Sequence, residues 1–324
     1  MIAPKLKQGD EIRIVAPSQS MHILAKEQVD LAVKRLNEMG FKVSFGEHVL
    51  ETDCMMSSSI HSRVTDIHEA FNDTNVKAIL TVIGGFNSNQ LLPYLDYDLI
   101  AENPKILCGL SDITALATAI YTQTELVTYS GPHFSTFSME RGVEFIQESF
   151  QACLTQKEEY VLKESPVWSD DPWYLDQQNR NFIPNSGLSV VHPGEAEGIL
   201  IGGNLCTLNL LQGTEFMPNL KDAILFLEDD ELITATLFDR DLESLLSQPG
   251  ANEIKGLVIG RFQNQSAVTE EQLNFIIKTK TALQEIPVIT GADFGHTQPI
   301  ATFPIGGKVH IDTNNEAKIH IMTH

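Results

Sequence analysis

Short apolar runs alternate along this chain with stretches whose apolar residues recur three and four positions apart. Residues 11–16 form the first run, and 25–39 carry Val29, Leu31, Ala32, Leu36 and Met39 at helical spacing until Gly40 stops them. Residues 41–45 alternate as a strand, 59–71 repeat as a helix, and 76–83 form a continuous buried-strand run that Gly84-Gly85 break. Residues 91–100 are partly helical. Ile106, Leu107 and Cys108 predict a buried strand, Ile113, Leu116, Ala117 and Ile120 a helix, and 126–129 another strand. No element is assigned between Tyr129 and Glu164. Beyond residue 194 the alternation resumes, with strands at 196–201, 223–227, 256–260 and 287–290 and helices at 205–211, 233–246 and 270–283. Residues 308–312 and 317–321 predict a hairpin joined through Thr313-Asn314-Asn315. Strands alternating with helices imply βαβ units and a mostly parallel sheet.

Between residues 164 and 194 the pattern lapses. That stretch holds Pro166, Pro172, Pro184 and Pro193 and both tryptophans, Trp168 and Trp173. A long irregular stretch inside a compact protein is usually functional or a linker. The expected architecture is therefore α/β in two domains. Residues 1–163 form an N-terminal domain with a mostly parallel sheet flanked by helices, 164–194 an interdomain linker and substrate loop, and 195–324 a C-terminal α/β domain with a β-rich tail. A chain of 324 residues suits two domains.

Charge and cysteine content narrow the function. With 22 basic against 43 acidic residues, the net charge of −21 argues against nucleic acid as a partner, since a phosphate backbone needs basic patches. The four cysteines, Cys54, Cys108, Cys153 and Cys206, are scattered, which fits reduced thiols and a cytoplasmic setting. The first residues lack the basic-then-apolar design of a signal peptide, and no apolar run approaches a membrane span. There is no G-x-G-x-x-G, P-loop or H-E-x-x-H, so neither a cofactor nor a metal is expected.

Three positions share one placement, just past the end of a predicted strand: Ser111, Glu228 and His296. Ligands of open α/β sheets bind at the carboxyl ends of the strands. A serine hydroxyl is a weak nucleophile until a base takes its proton. Histidine suits that task near neutral pH, and a carboxylate orients the imidazole. Serine, acid, histidine is one known order for such a set. The alternative is that Ser111 or Asp112 caps the helix that follows. Gly84-Gly85 and Gly202-Gly203-Asn204 are breaks at which backbone can approach a ligand or aim an N–H at an oxyanion, or are ordinary turns.

Ile83-Gly84-Gly85-Phe86-Asn87-Ser88-Asn89, Leu91-Leu92-Pro93-Tyr94-Leu95-Asp96, Gly109-Leu110-Ser111-Asp112-Ile113-Thr114-Ala115-Leu116 and Gly202-Gly203-Asn204-Leu205 together resemble the LD-carboxypeptidase family of serine peptidases. The resemblance is closer to the branch typified by microcin C self-immunity peptidases, and it runs over nearly the whole chain. It implies a Ser111-Glu228-His296 triad divided between two α/β domains, an oxyanion hole at the N–H groups of Gly85 and Asp112, no cofactor or metal, and a homodimer. One branch trims D-alanine from murein tetrapeptides. The other hydrolyses the bond between an aminoacyl group and a nucleotide-like moiety, with a loop tryptophan stacked on the base. By that resemblance Trp173 is the first candidate for stacking, Trp168 the second, and Asn204 a substrate-binding residue. The second glycine of the G-x-S-x-G elbow is missing, which argues against an ordinary α/β-hydrolase esterase. Leu110 stands where many relatives carry an aromatic residue. Three readings stay open: an aminoacyl-nucleotide hydrolase, a murein peptidase, and a two-domain protein that binds a nucleotide or peptide without cutting it.

Overall fold

The computed structural model describes residues 1–314 and 317–324. The strands in chain order are β1 (Glu11–Val15), β2 (Lys42–Phe45), β3 (Val76–Thr81), β4 (Ile106–Gly109), β5 (Thr128–Ser130), β6 (Tyr160–Val161), β7 (Val167–Trp168), β8 (Ile183–Pro184), β9 (Ser189–His192), β10 (Glu195–Asn204), β11 (Ala223–Glu228), β12 (Gly256–Gly260), β13 (Val288–Ala292), β14 (Phe303–Ile305), β15 (Lys308–Asp312) and β16 (Lys318–Thr323). A six-stranded sheet has the order β14-β5-β4-β3-β1-β2, and an eight-stranded sheet the order β6-β16-β15-β10-β11-β12-β13-β9. Strands β1 to β5 are mutually parallel, as are β10 to β13, while β14, β9, β15, β16 and β6 pair antiparallel at the flanks. The continuous apolar runs become the central parallel strands, β4, β11 and β12 being buried at every residue, because helices cover both faces. The turn expected at Asn315 lies outside the described residues, but its flanking strands β15 and β16 pair as a hairpin does.

Each lobe lends the other one strand. β14 comes from the C-terminal part and closes the first sheet against β5, and β6 from the N-terminal part pairs with β16. The helix Ile113–Thr124 binds the lobes together. Residues 113–120 are all buried, as expected of a helix apolar around its whole circumference. Its Thr114 Oγ1 accepts a 3.0 Å hydrogen bond from the N–H of Asn204, at the end of β10.

Some elements differ from their sequence signals. The helix Glu144–Thr155 buries Ile146, Phe150, Cys153 and Leu154, a helical face in a stretch without an assignment. Residues 91–100 split into a 3₁₀ turn, Ser88–Tyr94, and a helix, Tyr97–Glu102. Pro93 lies inside the first, one residue before its end, and the Asp96 carboxylate caps the second by accepting from Leu99 N–H. Among the described residues, no helix is long and apolar enough to cross a membrane.

Candidate active site

Ser111 sits one residue past Leu110 on the turn between β4 and the interlobe helix, with φ at +63°. A non-glycine residue in the left-handed region costs roughly 1–3 kcal/mol and persists only when its surroundings hold it. Here Ile113 and Thr114 N–H groups donate to the carbonyls of Leu110 and Ser111, at 3.2 and 2.9 Å. Neither Ser111 nor Asp112 caps the helix with its side chain. The Asp112 carboxylate is turned backwards, accepting from Ser18 Oγ at 2.6 Å, Asn87 N–H at 3.0 Å and Ser88 N–H at 2.8 Å. Buried Arg63 adds hydrogen bonds to the carbonyls of Pro17 and Asn87. The loop after β3 is thereby clamped to the start of the helix.

Across the cleft, β11 ends at Glu228, and the segment after β13 carries His296. Nδ1–H of His296 donates to Glu228 Oε2 at 2.6 Å, and Ser111 Oγ stands 3.0 Å from His296 Nε2. The structure thus brings together three side chains separated by up to 185 positions in one hydrogen-bonded row. Gly295 makes room for it: its φ is +101°, and a Cβ there would stand 2.7 Å from Glu228 Oε2. Burial works against the charged form of His296. The charge and hydrogen bond of Glu228, aided by Asp230 and Asp229, nevertheless carry its pKa up to about 9.

The N–H groups of Gly85 and Asp112 donate to no partner among the described residues; Asp112 directly follows Ser111, and Gly84, next to Gly85, packs against the Ser111 side chain. Asn204 lies opposite Glu228 in the β10–β11 ladder, 3% exposed. Its Oδ1 caps the helix Leu205–Asn209 by accepting from Thr207 N–H at 2.9 Å, and its Nδ2 donates to Asp229 Oδ1 at 3.3 Å. Of the tryptophans, Trp168 lies in β7 with the Arg261 guanidinium 5.1 Å above its ring. Trp173 is half-buried against Met139, Val143 and Ile146, edge-on to the exposed Tyr174.

Two groups beside this row have no role in the sequence reading. Asp229 is buried, and burial followed by the charge of Glu228 pushes its carboxyl up to about 7. His133 is buried just past the end of β5, and burial with the charge of His296 pushes it down to about 3. The strand-end rule that selects Ser111, Glu228 and His296 selects His133 as well. No group of three or more His, Cys, Asp or Glu side chains among the described residues is placed to hold a metal ion.

Comparison with known proteins finds relatives of the whole chain. The model of the LD-carboxypeptidase N-terminal domain matches residues 12–131, and that of the C-terminal domain residues 197–311. YocD of Bacillus subtilis (strain 168), a protein named as a carboxypeptidase, is 54% identical over 312 residues, 96% of each chain. The microcin C7 self-immunity protein MccF of Escherichia coli is 33% identical, covering 98% of this chain and 94% of its own. A second Bacillus subtilis protein, named as a murein peptide carboxypeptidase, is 30% identical, covering 97% of this chain and 92% of its own. The crystal structure of an MccF-like protein from Bacillus anthracis superposes with a TM-score of 0.98 at 55% identity over 100% of both chains. MccF in complex with glutamyl sulfamoyl guanosine superposes with a TM-score of 0.88 at 32% identity, over 99% of this chain and 98% of that one. With both halves matched and relatives aligned almost end to end, the chain belongs to the LD-carboxypeptidase family of peptidases.

Proposed function

We propose that this protein is a serine amidohydrolase that cleaves the bond joining an aminoacyl group to a nucleotide-like moiety, through a Ser111-His296-Glu228 triad. The observation that carries the reading is the row from Ser111 Oγ to His296 Nε2, 3.0 Å, and from His296 Nδ1 to Glu228 Oε2, 2.6 Å. Neutral His296 takes the Ser111 proton as Oγ attacks the carbonyl carbon, and the N–H groups of Gly85 and Asp112 receive the oxyanion. The tetrahedral centre collapses, the carbon–nitrogen bond breaks, and His296 gives its proton to the leaving nitrogen. Water then attacks the acyl-enzyme, losing a proton to His296, which returns it to Ser111 as the acid departs.

Support for the substrate class is the fold and sequence kinship with MccF, whose structures hold glutamyl sulfamoyl guanosine and aspartyl sulfamoyl adenosine. Trp173 is the residue we assign to stacking on the base, because Arg261 already covers Trp168. The kinship with a protein named as a murein peptide carboxypeptidase favours a second reading, release of a terminal D-amino acid from a murein tetrapeptide. Incubating the purified protein with aspartyl sulfamoyl adenosine and with a murein tetrapeptide, and following products by mass spectrometry, separates them. The first reading expects free aspartate and sulfamoyl adenosine and an intact tetrapeptide; the reverse pattern selects the second. A fluorophosphonate that fails to label Ser111 would leave only a binding protein. Homodimerisation and a cytoplasmic site of action are the remaining parts of the proposal, and light scattering measures the former.

A further inference from the structure

Ser111 has a second imidazole for a neighbour, and the steps above leave it idle. His133 follows β5, its position fixed because the Phe134 and Ser135 N–H groups donate to the carbonyls of Thr81 and Val82 at 2.8 and 3.1 Å. Its Nδ1 is 2.8 Å from Thr81 Oγ1, and that hydroxyl donates to the Cys108 carbonyl at 3.4 Å. A hydroxyl has one proton. Both contacts are therefore satisfied only when His133 Nδ1–H donates to Thr81 and Thr81 donates onward to Cys108. Nε2 then carries the lone pair, and it makes no hydrogen bond among the described residues.

That nitrogen and the nucleophile adjoin the same glycine. A Cβ built on Gly84 would lie 3.2 Å from Ser111 Oγ and 3.5 Å from His133 Nε2, so the two side chains share the space over this glycine. The nearest atoms there belong to Ser111 and His133, not to His296. His296 must protonate the leaving group, which places the leaving group on its own side of Ser111 and the acyl portion on the other. In an aminoacyl substrate the carbon next to the scissile carbonyl bears an amino group, charged at neutral pH and rich in N–H donors. Burial keeps His133 neutral through that range, its pKa lying at about 3, so the ring is an acceptor and not a competing cation.

We propose that His133 is a specificity-determining residue whose Nε2 accepts a hydrogen bond from the amino group next to the scissile carbonyl, selecting substrates with a free amine there. This rests on the acyl-enzyme reading of Ser111, and the experiment separates the two. The full-length protein is treated with three probes: a plain fluorophosphonate, an α-aminoalkyl diphenyl phosphonate, and the same phosphonate without its amine. With the last two, Ser111 Oγ bonds to phosphorus, a phenoxide leaves, and the serine proton reaches it through His296. Labelling rates are measured by mass spectrometry on wild type, His133→Ala and His133→Gln, whose amide oxygen reaches the place of Nε2.

The expected result is a wild-type preference for the amine probe over its deamino partner. That preference falls about tenfold in His133→Ala, as for loss of one hydrogen bond to a charged group. It returns in His133→Gln, and the plain fluorophosphonate rate stays unchanged in both variants. A preference that survives in His133→Ala, or is absent from the wild type, overturns the proposal. A parallel slowing of all three probes also overturns it, since it makes His133 a packing residue. Failure of every probe to label wild-type Ser111 removes the acyl-enzyme reading and this inference with it.

Discussion

The row at the strand ends and the stretch between the lobes are built on opposite plans. Glu228 ends a strand of a parallel array and Ser111 and His296 follow one, and Glu228 is 3% exposed. Residues 164–194 carry Tyr174 and Leu175, 59% and 75% exposed, and are held at separate anchors. Arg180 Nε pairs with Asp171 at 2.7 Å, the Asp170 carboxylate accepts from Asn264 N–H, and Arg261 joins Asp293 to Asn185. Positioning for bond cleavage must hold to a fraction of an ångström, which buried strand ends provide. Recognition of a leaving group tolerates repacking, which suits a surface segment fixed at a few points.

The comparison breaks most visibly at the nucleophile. Ser111→Ala is expected to lower kcat by about 10⁵-fold or more, the scale seen when a triad serine is removed. Its thermal unfolding should match wild type within a few degrees. A variant retaining near-normal turnover would sink the assignment. Glu228→Gln is next, with a loss of about 10³–10⁴-fold and a change of pH profile. His296 acts as base only when neutral, and its pKa lies near 9, so wild-type kcat/KM should climb with pH up to that value. Without the Glu228 charge, the limb should move down toward the ordinary 6.5. A limb that stays in place in the variant contradicts the electrostatic account.

On the loop the expected effects are smaller and of another kind. Trp173→Ala should raise KM for an aminoacyl sulfamoyl nucleoside about tenfold while leaving kcat nearly unchanged, the scale of one lost base stack. Trp168→Ala should instead cost roughly 1–2 kcal/mol of stability, through the lost Arg261 contact, with KM unaltered. If the two exchange these phenotypes, their roles are reversed. Smallest is Asp229→Asn. The folded protein raises this carboxyl from 3.8 to about 7, so the stability it contributes is full below pH 4 and lost as pH rises through 7. Melting curves should therefore show the variant gaining on wild type between pH 5 and 8, by roughly 1–3 kcal/mol.

Much of this was readable in the chain itself. Period-2 and continuous apolar runs, helical spacing and glycine breaks placed β1 to β5 and β10 to β13 within a few residues, because backbone periodicity is a local property. The same signals put Ser111, Glu228 and His296 just past strand ends. The short strands β6 and β14 escaped, since two or three residues carry no periodicity and their pairing is decided by which sheet edge stands open nearby. The helix Glu144–Thr155 did carry a signal, in Ile146, Phe150, Cys153 and Leu154, and went unassigned all the same.

What the residue order could not settle was whether the serine at the turn caps a helix or faces an imidazole, because both uses need the same residue at the same place. Folding resolved it by packing β10 against the helix from the other lobe, with Asn204 bonded to Thr114, which brings Glu228 of neighbouring β11 and His296 beyond β13 to Ser111. Contacts between residues 185 positions apart depend on how sheets stack and which edges remain free, and no stretch of sequence encodes that alone. His133 makes a related point: its place after a strand marks it in the linear chain, but its neutral ring, its tautomer and its position beside Ser111 come only from Thr81, Gly84 and the burial around them.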